Sequence, residues 1–164
     1  MTESFITAQQ LFNRVLEVIE FTDNRYDLQN HLMHETLVLA CHEGLKGTRH
    51  GFGNLSSQVD SLCKKHNIKA QDVIAIHLMR RHSNSIAPIS HNDLLYDCRA
   101  LALFIAAVFN TSIPSYLVDK IPTEGRRTAN MQIANSIGTN LLNTSDTLEK
   151  SPRTVSSVST VMIP

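Results

Sequence analysis

Residues 90–109 read SHNDLLYDCRALALFIAAVF, and this stretch decides the fold. Ser90 followed three residues later by Asp93 is a capping-box-like start for a helix. The first half of the segment is apolar on one side. From Ala100 to Phe109 it is apolar all round, and a helix of that kind is surrounded by others. Ten such residues are too few for a membrane span, which needs about 20. The segment therefore predicts a central buried helix, and the rest of the chain must supply the helices that cover it.

Working outward, the neighbours carry helical periodicity. Leu11, Phe12, Val15, Val18 and Ile19 form one stripe, predicting a first helix from about Thr7 to Phe21. A second follows Asp23-Asn24, with Leu28, Leu32, Leu37, Leu39, Ala40 and Cys41 on its buried side. It ends at Gly44 or Gly47, since glycine takes positive φ without strain. Residues 44–53, GLKGTRHGFG, form a loop. Asn54 then caps a third helix, with Leu55, Val59, Leu62 and Cys63 inward, and Asn67-Ile68 ends it. A fourth spans about Ala70 to Arg81. Beyond Pro114 and Pro122, Met131, Ala134, Ile137 and Leu141 predict a short helix over 128–142. Residues 143–164 are rich in Ser, Thr and Pro and predict a disordered tail, because they bury too little apolar surface to offset ordering entropy. The expectation is an all-α bundle of five to six helices over 1–142, with helices 1, 2 and 4 packed around helix 5.

Composition narrows the function classes. The 164 residues carry 15 Lys+Arg and 15 Asp+Glu, so neither a globally basic nucleic-acid binder nor an acidic solvating protein is indicated. The balance hides an asymmetry. Residues 1–43 hold Arg14 and Arg25 against seven acids, whereas residues 44–82 hold seven bases against Asp60 and Asp72. Two such regions can complement each other within the fold or across an isologous dimer, or the basic one can face an anionic partner. Cys41, Cys63 and Cys98 are odd in number and sit among apolar residues, which reads as buried thiols in a reducing, cytoplasmic setting. Met1 to Gln10 has no basic segment leading into an apolar run, so no signal peptide is expected.

The glycine loop lacks the Lys-Ser/Thr of a phosphate loop and follows no strand. His31 and His34 stand three apart with Glu35 beside them, but the HExxH order is absent and no metal site is expected. No nucleophile motif and no cofactor motif is present, and no catalytic residue is assigned. The informative stretch is 64–84, KKHNIKAQDVIAIHLMRRHSN. Lys64, Lys65, His66 and Lys69 cluster between the third and fourth helices, and Arg80, Arg81 and His82 end the fourth. Cations at helix C-termini complement the dipole, which accounts for them as structure. The functional alternative is a phosphate-contacting surface. The outward positions of the fourth helix are poor in Asn, Gln and Arg, so base readout by that helix is not expected.

The order GNLSSQVDSLCKKHNI, IHLMRRHSNSIAP and SHNDLLYDCRALALFIAAVF, over about residues 54–110, resembles the HEPN superfamily of helical domains. The resemblance implies an often dimeric bundle linked to RNA processing, toxin–antitoxin pairs or phage defence. It implies a metal-independent ribonuclease in members with an Arg-x(4–6)-His motif, in which His moves a proton and Arg stabilises phosphate charge. Arg81 and Asn84 fall on matching positions. The histidine does not: the allowed positions hold Ile86, Ala87 and Pro88 counted from Arg81, and Ser85, Ile86 and Ala87 counted from Arg80. The reading is thus a non-catalytic binding or assembly protein. Its nucleic-acid-binding candidates are Lys64, Lys65, Lys69, Arg80, Arg81 and Asn84. Its partner is RNA or DNA, a second copy, or another protein, and no membrane. The alternatives are a ribonuclease using His77, His82 or His91, and an accessory subunit of a larger complex.

Overall fold

The computed structural model describes residues 5–21, 26–49, 53–85 and 87–126. These form α1 (Ala8–Glu20), α2 (Tyr26–Gly44), α3 (Leu55–Lys65), α4 (Ala70–Ser83), α5 (His91–Val108) and the short α6 (Ser115–Val118). No strand occurs among the described residues, and none of their helices is long and apolar enough to cross a membrane. All six belong to one compact unit, Met1–Arg126. The helix read at 128–142 and the tail from 143 lie outside the described residues.

Local chemistry sets the helix starts. Thr7 accepts from the Gln10 amide while the Gln10 side chain accepts from Thr7, a reciprocal box that opens α1. The Asn54 side chain accepts from Ser57 N at 2.8 Å, and Ser90 Oγ from Asp93 N at 3.0 Å. Between α3 and α4 the chain reverses through Asn67, whose φ of 53° is tolerated by Asn better than by most residues. Pro114 supplies a preset φ at the start of α6, a one-turn helix that periodicity over four residues is too short to announce.

The core is aliphatic. Leu94, Cys98, Leu101, Phe104 and Ile105 of α5 are buried against Leu11, Phe12, Val15 and Val18 of α1, Leu37 and Cys41 of α2, and Val73, Ile76 and Met79 of α4. α5 packs on α1, α2 and α4 as its all-round apolarity requires. α2 is equally central, since it packs on α1, α3, α4 and α5. Its apolar side is not all buried: Leu28, Leu32 and Leu39, expected inward, are half-buried, whereas the polar Gln29, Asn30 and Thr36 are buried. The polar three are satisfied by carbonyls: Gln29 Nε2 donates to Val18 O, Asn30 Nδ2 to Ser85 O, and Thr36 Oγ1 to Leu32 O. The two glycines near the end of α2 divide the work. Gly47 takes the positive φ of 80°. Gly44 instead allows close approach, because a Cβ there would stand 2.7 Å from Val108 Cγ1 and 3.1 Å from a Leu62 methyl.

Candidate nucleic-acid interface

The six candidate residues fall at the two ends of α4. Lys64 and Lys65 close α3, His66 is its C-cap, and Lys69 occupies the N-cap position of α4. All three lysines are exposed, and among the described residues none has a carboxylate within ion-pair distance. Arg80, Arg81 and Asn84 stand at the far end. Twelve residues of helix separate Lys69 from Arg81, about 18 Å along the axis. The two clusters are therefore separate charges on one helix, not one patch.

Lys64 and Lys65 lie where a cation complements the dipole of α3, so their position needs no other cause. Lys69 is different. It sits at the positive pole of α4 and makes no side-chain cap hydrogen bond, where Ser, Thr, Asp or Asn would. A cation there opposes the dipole, and Asp72 in the first turn offsets it only in part. Asp72 itself is shared with Arg99, at 4.0 Å. Lys69 thus departs from the residue preference of an N-cap, with no compensating side-chain contact among the described residues.

At the other end Arg80 is half-buried and engaged. Its Nε donates to His77 Nδ1 at 3.1 Å, and His77 Nε2 meets Asp60 Oδ1 at 2.7 Å. Since Arg80 can only donate, Nδ1 accepts and Nε2 carries the proton given to Asp60. This relay ties α4 to α3. Arg81 and Asn84 are exposed, and the Asn84 backbone N–H caps α4 on Arg80 O.

Sequence reading missed the centre that follows Arg81. His82 Nδ1 lies 2.7 Å from Asp97 Oδ2, and the Asp97 side chain is 4% exposed. Arg126 reaches both carboxylates of α5: it bonds Asp93 and stands 3.7 Å from Asp97, with its guanidinium over the Tyr96 ring. The arginine beside it holds Asp93 below the usual carboxylate range. Burial pushes Asp97 up, against the pull of His82 and Arg126. Asp93 and Asp97 are one turn apart on α5, a spacing visible in sequence. Their partners come from 15 and 33 residues away, which sequence does not show.

Of the three histidines proposed for a ribonuclease, His77 has both nitrogens engaged and His91 is exposed at the start of α5. His82 alone of these has one nitrogen held by a buried carboxylate, with Nε2 making no protein hydrogen bond among the described residues. His31 is exposed and His34 half-buried with a buried, unpartnered Nδ1. Among the described residues no group of three His, Cys, Asp or Glu converges as metal ligands would. The three cysteines are buried, and burial pushes Cys41 and Cys63 up to about 12 and Cys98 in the same direction. Compared with known proteins, the chain matches no family model, no curated protein and no solved structure.

Proposed function

We propose that this helical bundle binds an anionic polymer, RNA or DNA, without catalysis, through Lys64, Lys65 and Lys69 at the α3–α4 turn. The observation that carries the reading is Lys69: an uncapped cation at a helix N-terminus, beside two more exposed lysines without carboxylate partners among the described residues. Among the described residues Lys46 pairs locally with Glu43, at 3.4 Å, whereas Lys64, Lys65 and Lys69 meet no carboxylate. Three lysines on three phosphates of a single strand give a salt slope of about −2 in log–log form. A fourfold rise in salt then weakens binding about twenty-fold. Binding titrations of single-stranded RNA and of duplex DNA at two salt concentrations test this. Lys64→Ala/Lys65→Ala/Lys69→Ala is expected to abolish the salt-sensitive component, and Arg81→Ala to reduce it less. Salt-insensitive or absent binding, with a mass above one chain in solution, would replace this reading by protein assembly.

A second reading, a HEPN-like metal-independent ribonuclease, is favoured by one observation, the His82–Asp97 pair. An imidazole oriented through Nδ1 by a carboxylate presents Nε2 as a proton acceptor. Nε2 would take the proton of a ribose 2′-hydroxyl as its oxygen bonds phosphorus and the P–O5′ bond breaks, and the imidazolium so formed would return that proton, through solvent water, to the departing 5′-oxygen. Arg81, next to His82, would supply positive charge. Cleavage of RNA in EDTA that is lost in His82→Ala, with the fold intact, is the expected result for this reading. Intact RNA under those conditions removes it.

A further inference from the structure

Beside the lysine cluster lies a cleft of about 220 Å³. Its apolar lining comes from Ile68 at the turn and from Ala100, Leu103, Phe104 and Ala107 of α5, where 100 and 104, and 103 and 107, stand one helical turn apart. Its polar lining includes His66 and Lys69, from the same turn. The face of α5 that carries Leu103 and Ala107 is half-buried and meets this opening, though the helix is apolar all round. An apolar recess bordered by cations has a mixed demand: a flat, weakly polar body inside and negative charge at the edge. Single-stranded nucleic acid meets both demands at once, because every base has a π-face and every link a phosphate. A duplex keeps its bases stacked and offers phosphate alone.

We infer that the cleft at the α3–α4 turn receives an unstacked base of a single-stranded nucleic acid, with the adjoining phosphates on Lys64, Lys65 and Lys69. The inference rests on the nucleic-acid reading above and deepens it to a substrate class. His66 supports it. Partial burial and the neighbouring Lys65 charge both hold its imidazole below the ordinary value, so near neutrality it is uncharged and suited to stacking. Asp72 is the carboxylate of the lining, drawn toward Arg99, and can accept from a base N–H, such as N3–H of thymine, while Lys69 holds the phosphate beside it.

Fluorescence anisotropy of the full chain decides it, with three probes: a short thymidine oligomer, an abasic oligomer of equal length and charge, and a duplex. The thymidine oligomer is expected to bind about tenfold tighter than the abasic one, the range that stacking of a base contributes. Ala107→Leu, which fills the cleft, is expected to close that gap. Should Ala107→Leu fail to fold, a fluorescent base analogue in the oligomer provides the second measurement, its emission changing on binding to the unaltered chain. Equal affinity for thymidine and abasic oligomers, or no emission change, overturns the inference and leaves the lysine surface standing. Duplex bound as tightly as single strand likewise overturns it. Absence of salt-dependent binding by any probe overturns both.

Discussion

Lys69 joins function and stability in one side chain. At an N-cap, Ser can accept from the second or third amide of the helix, and Lys cannot. Lys69→Ser is therefore expected to raise the unfolding free energy by about 1 kcal/mol, read as a higher denaturant midpoint at unchanged m, while lowering affinity for single-stranded nucleic acid. A stabilised variant with full affinity would remove Lys69 from the binding surface. The two carboxylates of α5 make opposite contributions to acid stability. Asp93 titrates below its unfolded value near 3.8, so its contribution is present above that value and is lost as pH falls through the folded one. Asp97 titrates above 3.8, so over the window up to its folded value the folded chain holds a proton the unfolded chain has released, and stability falls as pH rises. Urea midpoints across acid pH are expected to show a shallower loss on acidification for Asp93→Asn and a steeper one for Asp97→Asn. The reverse pattern would mean that His82 and Arg126 outweigh burial at Asp97.

At the scale of elements, the close approach of α2, α3 and α5 depends on Gly44. Alanine is the better helix former by about 1 kcal/mol, but the new methyl must displace Val108 and Leu62, and overpacking of that kind costs about 1–3 kcal/mol. Gly44→Ala is expected to lower stability on balance, and Gly44→Ala/Val108→Ala to relieve the contact at the cost of a small cavity. A thermal melt of the single variant equal to or above that of the parent would show that Val108 rotates away freely. Helix positions and caps were legible because they are local: Asn54 and Ser90 sit where capping chemistry puts them, and Gly44 ends α2. The burial of Gln29 and Asn30 was not legible. Both are polar, and the carbonyls that satisfy them belong to Val18 and Ser85, on other segments of the chain.

For the whole molecule, the three thiols report on cooperativity. Each is buried and pushed to high pKa, which disfavours the reactive thiolate. A thiol reagent at neutral pH is expected to leave all three unmodified in the native protein and to label them together through the urea transition. Early labelling of Cys63 alone would identify the α3–α4 turn as a unit that opens before the core.

The sequence by itself determined the all-α class, the central place of residues 90–109 and the aliphatic core, because periodicity, capping and burial of apolar side chains act over a few residues at a time. It also exposed the uneven charge and the lysines at 64, 65 and 69. Only the tertiary structure decided that Arg80 is engaged with His77 while Arg81 is exposed, since a 100° step between neighbours sends them to different surroundings. Only it joined His82, Asp97 and Arg126, and only it opened the cleft between the α3–α4 turn and α5. Those features depend on which helix faces meet, and that is set by packing among segments distant in the chain.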